Sequence, residues 1–99
     1  MERSPDLLAS ILHYCVTGTS AWTLNMSVDE LYNNLSVDKQ QEWPEHLVAG
    51  HVWLLADAGF IEAKSNGSVI VRVTWNGYEY LEAVRKRKAL LNNPFLAHG

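Results

Sequence analysis

One cysteine, Cys15, is all the chain contains, so no internal disulfide can staple the fold. It sits within an apolar helical pattern and reads as a small buried hydrophobe. A reducing, cytoplasmic setting fits that usage. No apolar run approaches the roughly eighteen residues that mark a membrane span. Met1-Glu2-Arg3-Ser4-Pro5 lacks the basic start and apolar run of a signal peptide. No internal repeat, low-complexity tract or linker divides the chain. A single domain over 1–99 is expected, with 1–4 and 96–99 loosely held. Basic residues are scarce in 1–63, which hold only Arg3 and Lys39 against nine acidic side chains, a net −7. Residues 64–99 hold six basic and two acidic side chains, a net +4, and the whole chain carries −3.

Reactive constellations are also missing. His13, Cys15, His46, His51 and His98 show no zinc-type ligand spacing. His13 and Cys15 stand two apart on a helix and diverge, and Cys15 has no cationic neighbour to activate it. Ser65-Asn66-Gly67-Ser68 is too short for a phosphate loop and belongs to a hairpin. Asp29 and Glu30 occupy a helix first turn, where acids are expected for structural reasons. The expectation is a protein with no catalytic residues, metal or cofactor.

What is present is organised around Pro44–Val73. Pro44 suits the first turn of a helix, and Gly59 after Ala58 suits the left-handed residue that ends one. Projection at about 100° per residue puts Leu47, Val48, His51, Val52, Leu55 and Ala58 on an inward face. His46, Ala49, Gly50, Trp53 and Asp57 fall on the other. His51 is expected to be buried with a hydrogen-bond partner. Gly50 costs a helix interior roughly 1 kcal/mol relative to alanine, which close approach of a neighbour would offset. Beyond Gly59, 60–64 and 69–73 read as strands joined by Ser65-Asn66-Gly67-Ser68, and Asn-Gly is the strongest short hairpin signal.

Upstream, Ser4-Pro5-Asp6 opens a helix carrying Leu8, Ile11, Leu12 and Cys15 at helical spacing, with Leu7 and Tyr14 alongside, ending at Gly18. Ala21-Trp22-Thr23-Leu24 is β-prone and reads as a first strand pairing with the hairpin. Ser27-Val28-Asp29-Glu30 is a capping box opening a short helix to about Leu35. Residues 36–43 read as a polar turn, longer than a helix-turn-helix usually needs. Downstream, Thr74 caps a last helix with Gly77 in its first turn. Its expected apolar face is Tyr78, Leu81 and Val84, with Tyr80 flanking, and Asn92-Asn93-Pro94 stops it. The reading is α+β: a winged helix-turn-helix of three to four helices with a small antiparallel sheet, a hairpin wing plus a short first strand.

Two segments sharpen it. His51-Val52-Trp53-Leu54-Leu55-Ala56-Asp57-Ala58-Gly59-Phe60-Ile61-Glu62-Ala63 and Val73-Thr74-Trp75-Asn76-Gly77-Tyr78-Glu79-Tyr80-Leu81-Glu82-Ala83-Val84-Arg85 occur in that order. Together they resemble a winged-helix family of short, uncharacterised bacterial and phage proteins. Tyr78 stands where that family usually has histidine, and Val73 where it has leucine. The resemblance covers roughly 44–85. It implies the winged-helix fold and a phage or prophage setting, and it carries no activity and no functional residues.

Two functions are open on these residues. In the first, the 44–58 helix enters the major groove of double-stranded DNA, with Lys64, Asn66 and Arg72 of the wing on a phosphate or the minor groove, and the Arg85-Lys86-Arg87-Lys88 cluster supports that reading. Such a protein would act as a transcription regulator, and the architecture gives this reading a slight preference. Against it, Glu42 and Glu45 flank the helix entry, its outer face offers no lysine or arginine, and cations supply most non-specific DNA affinity. In the second, His46, Ala49, Gly50 and Trp53 meet a host protein. A tryptophan anchor with depleted lysine is the composition of such interfaces. A homodimer is compatible with both.

Overall fold

A computed structural model describes residues 2–17, 24–35 and 42–92. It is α+β, and among those residues it holds four helices and a three-stranded antiparallel sheet. The order is α1 Pro5–Thr17, β1 Met26–Ser27, α2 Val28–Asn34, α3 Glu45–Asp57, β2 Ile61–Lys64, β3 Val69–Val73 and α4 Trp75–Asn92. No described helix is long and apolar enough to cross a membrane.

Capping side chains start three helices as the sequence implies. Ser4 Oγ accepts the Leu7 amide at 3.3 Å, Ser27 Oγ the Glu30 amide at 3.1 Å, and Thr74 Oγ1 the Gly77 amide at 3.2 Å. Each satisfies one of the amides that a helix N-terminus leaves unpaired. α3 starts one residue later than expected: Pro44 has extended ψ and serves as the cap residue, without a side-chain bond. At the other end, Gly59 takes φ +80. The Gly59 amide donates to Ala56 O at 3.1 Å and the Phe60 amide to Leu55 O at 2.9 Å. This paired closure needs a left-handed residue, which glycine adopts without a Cβ penalty. It turns the chain directly into β2.

The sheet order is β1-β3-β2. Lys64 pairs with Val69 across the turn, and Ser65, Asn66 and Gly67 are all left-handed, with φ 55, 56 and 83. The pairing runs Glu62 to Arg72 and then Ala63 to Ile70, leaving Val71 as an extra residue in β3. The first strand lies further on than its β-prone run suggested. Met26 and Ser27 pair with Ile70 and Val69, whereas Ala21–Thr23 lie outside the described residues. Leu24 still donates to Val71 O at 2.7 Å, but left-handed Asn25 breaks the extended run before Met26.

The core joins α1, α2, α3 and the inner face of the sheet. Leu7, Ile11, Leu12, Leu31, Val48, Val52, Leu55 and Ile70 are its largest fully enclosed apolar side chains, each contributing about 1.5–3 kcal/mol on burial. Four expectations change here. Ala58 is exposed rather than inward, because the chain already turns away at the α3 C-cap. Trp43, read as part of a polar turn, is only 4 % exposed and joins the core; 36–41 lie outside the described residues. On α4 the inward aromatic is Tyr80, stacked on Phe60 at 4.8 Å, while Tyr78 is exposed. The contact line of α4 passes through Gly77, where an added Cβ would strike the Phe60 carbonyl and lie 2.7 Å from Val73 Cγ1. Gly77 and Leu81 therefore face inward, Val84 is half-buried, and Tyr78 lies about 100° off that line. Ser4, expected in a loose terminus, is tied down: its amide donates to His51 Nε2 at 2.8 Å.

Candidate functional site

α3 positions the outer-face residues. Ala49 and Gly50 each stand three or four positions from both His46 and Trp53, so the four share one stripe. His46 and Trp53 are exposed, Ala49 and Gly50 half-buried. Because β2 runs on from α3, the hairpin folds back beside that stripe. A Cβ on Gly67 would lie 3.0 Å from Trp53 Cε2 and Nε1. One edge of the indole thus rests on the hairpin turn, yet Trp53 remains 55 % exposed. Lys64 precedes that turn, Asn66 lies within it, and both are exposed. The resulting surface is an aromatic ring bracketed by a helix and a tight turn.

Its charges are largely acidic or already engaged. Arg72 donates to Glu62 Oε1 at 2.6 Å across β2 and β3. That bond holds the Glu62 carboxyl below the usual range and raises the Arg72 guanidinium. Arg72, expected to seek a phosphate, is therefore committed within the hairpin. Glu45, in the first turn of α3, is pushed up by a side-chain hydrogen bond and like charge from Asp29 on α2. This end of α3 sets two carboxyl groups side by side.

The basic cluster does not form one patch. Arg85, Lys86, Arg87 and Lys88 are all exposed, but consecutive residues on a helix point about 100° apart. Arg85 donates to His13 Nδ1 on α1 at 2.7 Å. Arg87 lines a groove with Arg3, Asp57 and Phe60. The helix spacing that makes the cluster conspicuous in the sequence also scatters it.

Two groups conspicuous in sequence serve the fold. His51 is fully buried and uses both ring nitrogens: Nε2 accepts from Ser4, and Nδ1 lies 2.8 Å from Leu47 O. Nδ1 therefore carries the proton and donates. Cys15 is buried, and desolvation pushes its thiol up to about 12, which removes the thiolate that nucleophilic or metal chemistry needs. Among the described residues no three His, Cys, Asp or Glu side chains stand together as a metal site.

Sequence reasoning missed the seat that Gly67 gives Trp53, the Asp29–Glu45 pair, and the exposure of Trp75. That tryptophan is 76 % exposed and donates through Nε1 to Glu79 Oε1 at 2.7 Å. The i,i+4 spacing of Trp75 and Glu79 was the available signal for the last. The other two join residues far apart in the chain and had none. No protein-family model, curated protein or solved structure matches the chain.

Proposed function

We propose that this chain is a non-enzymatic winged-helix protein that binds another protein through the face made by α3 and the β2–β3 turn. Trp53 is the anchor, with His46, Ala49 and Gly50 beside it. The winged-helix reading is supported by the order of elements, by the packing of Ser27-capped α2 on α3, and by the hairpin that follows α3 directly. The observation that carries the function is the exposed indole edge-seated on Gly67. A half-supported, largely exposed aromatic is costly to leave in water and effective as an interface hot spot. The surrounding charge favours protein over DNA. The outer face of α3 has no lysine or arginine, Glu45 and Asp57 stand at its ends, and Arg72 is tied to Glu62.

DNA binding is the second reading, favoured by the exposed Lys64 and Asn66 at a turn adjoining α3. One comparison separates the two. The first expects no binding to mixed duplex DNA at low salt, together with association to a host protein that Trp53→Ala abolishes while the melting curve stays cooperative. Duplex binding that weakens steeply with salt, and further on neutralising Lys64, overturns the first reading in favour of the second.

A further inference from the structure

A separate surface lies between α1 and α4. A groove of about 460 Å³ runs between these helices, with Asn34 of α2 and the adjoining Leu35 also lining it. Its α1 wall spans Ala9 to Thr17 and its α4 wall Leu81 to Lys88. At about 1.5 Å per residue each wall is roughly two helical turns long. The floor is apolar: Ala9 and Leu81 are buried and Val84 is half-buried. The small Ala9 side chain leaves room for a third element to approach.

The charges on the rim are of one sign. Arg85 and Lys88 both line the groove, and none of the described lining residues is acidic. Arg85 is oriented by His13 Nδ1, an acceptor that fixes the guanidinium without cancelling its charge. Asp6 lines an adjoining groove with Lys88, yet among the described residues the two form no ion pair. A second copy of this chain, docked groove to groove about a two-fold axis, would bring two copies of the same cationic rim together. Duplex DNA would leave the apolar floor unused.

We infer that the α1–α4 groove docks a short acidic amphipathic helix of a partner protein, with apolar residues at i, i+3 or i+4 and i+7 on Ala9, Leu81 and Val84, and carboxylates facing Arg85 and Lys88. Helix-in-groove recognition uses this spacing. The inference does not rest on the Trp53 face.

The test is fluorescence anisotropy of a labelled acidic amphipathic peptide of about ten residues against the full chain at low salt. Two peptides serve as controls: one with lysine in place of each acid, and one of the same composition with its apolar residues dispersed. The acidic amphipathic peptide binds and neither control does. Arg85→Glu with Lys88→Glu weakens it roughly tenfold, as two exposed charge pairs allow, and lets the lysine peptide bind instead. Val84→Asp, which keeps a cooperative melt, abolishes binding, and Trp53→Ala leaves it unchanged. Equal binding of the acidic and dispersed peptides overturns the inference, as does no binding up to millimolar peptide. So does loss of binding in Trp53→Ala, or a self-associated dimer that the peptide does not disperse.

Discussion

Gly67→Ala tests the seat of Trp53 most directly, because the substitution carries two separable costs. Gly67 has φ +83, and an L-residue in that left-handed region costs roughly 1–2 kcal/mol whatever lies nearby. The new Cβ would also stand 3.0 Å from two atoms of the indole. Trp53 is more than half exposed, so the ring yields by swinging into solvent. The second cost is therefore the lost contact rather than a rigid clash, on the order of 1 kcal/mol, toward the low end for touching residues. Gly67→Ala should destabilise the parent by about 2–3 kcal/mol, but a Trp53→Ala background by only about 1–2 kcal/mol. A difference of 1 kcal/mol corresponds to roughly 4–8 °C in Tm for a domain of this size. Urea unfolding followed by far-UV circular dichroism measures both, since four tryptophans make the fluorescence ambiguous. Equal penalties in the two backgrounds, within about 0.3 kcal/mol, would mean that Trp53 does not rest on the turn. The anchor proposed for partner binding would then lose its support. If the cycle does couple, Gly67→Ala should also weaken the partner, although it leaves Trp53 in place.

Three further outcomes follow from particular contacts. Gly77→Ala should lower stability by roughly 1–3 kcal/mol, as overpacking against the Phe60 carbonyl outweighs the gain in helix propensity; a raised Tm refutes the close approach. Cys15 should resist alkylation at neutral pH in the folded protein and react once urea unfolds it, because burial holds the thiol near 12; mass spectrometry decides, and rapid native labelling contradicts the burial. Glu45, followed by carboxyl NMR, should titrate above the ordinary range and fall toward it in Asp29→Asn. Its folded pKa lies above the unfolded one, so its stabilising contribution is complete below the unfolded pKa and is lost as pH rises through the folded one. Asp29→Asn should therefore flatten the pH dependence of Tm between the unfolded and the folded pKa of Glu45, and an unchanged Glu45 titration would exclude the pair.

The local grammar of the chain was legible in its residues. Ser4, Ser27 and Thr74 cap helices because a hydroxyl oxygen at that position meets an amide the helix cannot use, and Gly59 ends α3 because only a left-handed residue closes it that way. The misreadings have physical causes too. Tyr78 was assigned inward because the helix's true contact point, Gly77, has no side chain to register in a hydrophobic pattern. Trp43 was assigned to a turn because polar neighbours in sequence said nothing of the core it joins.

For this protein, the residue order by itself determined where the side-chain-capped helices start and how α3 ends, since those choices rest on neighbours within four positions, whereas the place of the first strand depended on its pairing with β3. Tertiary structure alone decided which cations stay available and which aromatic has a seat. Arg72 is paired with Glu62, Arg85 is oriented by His13 with its charge uncancelled, and Trp53 is seated on Gly67. Each pairing spans ten or more positions, and its partner is chosen only when the sheet register and helix packing bring the two together.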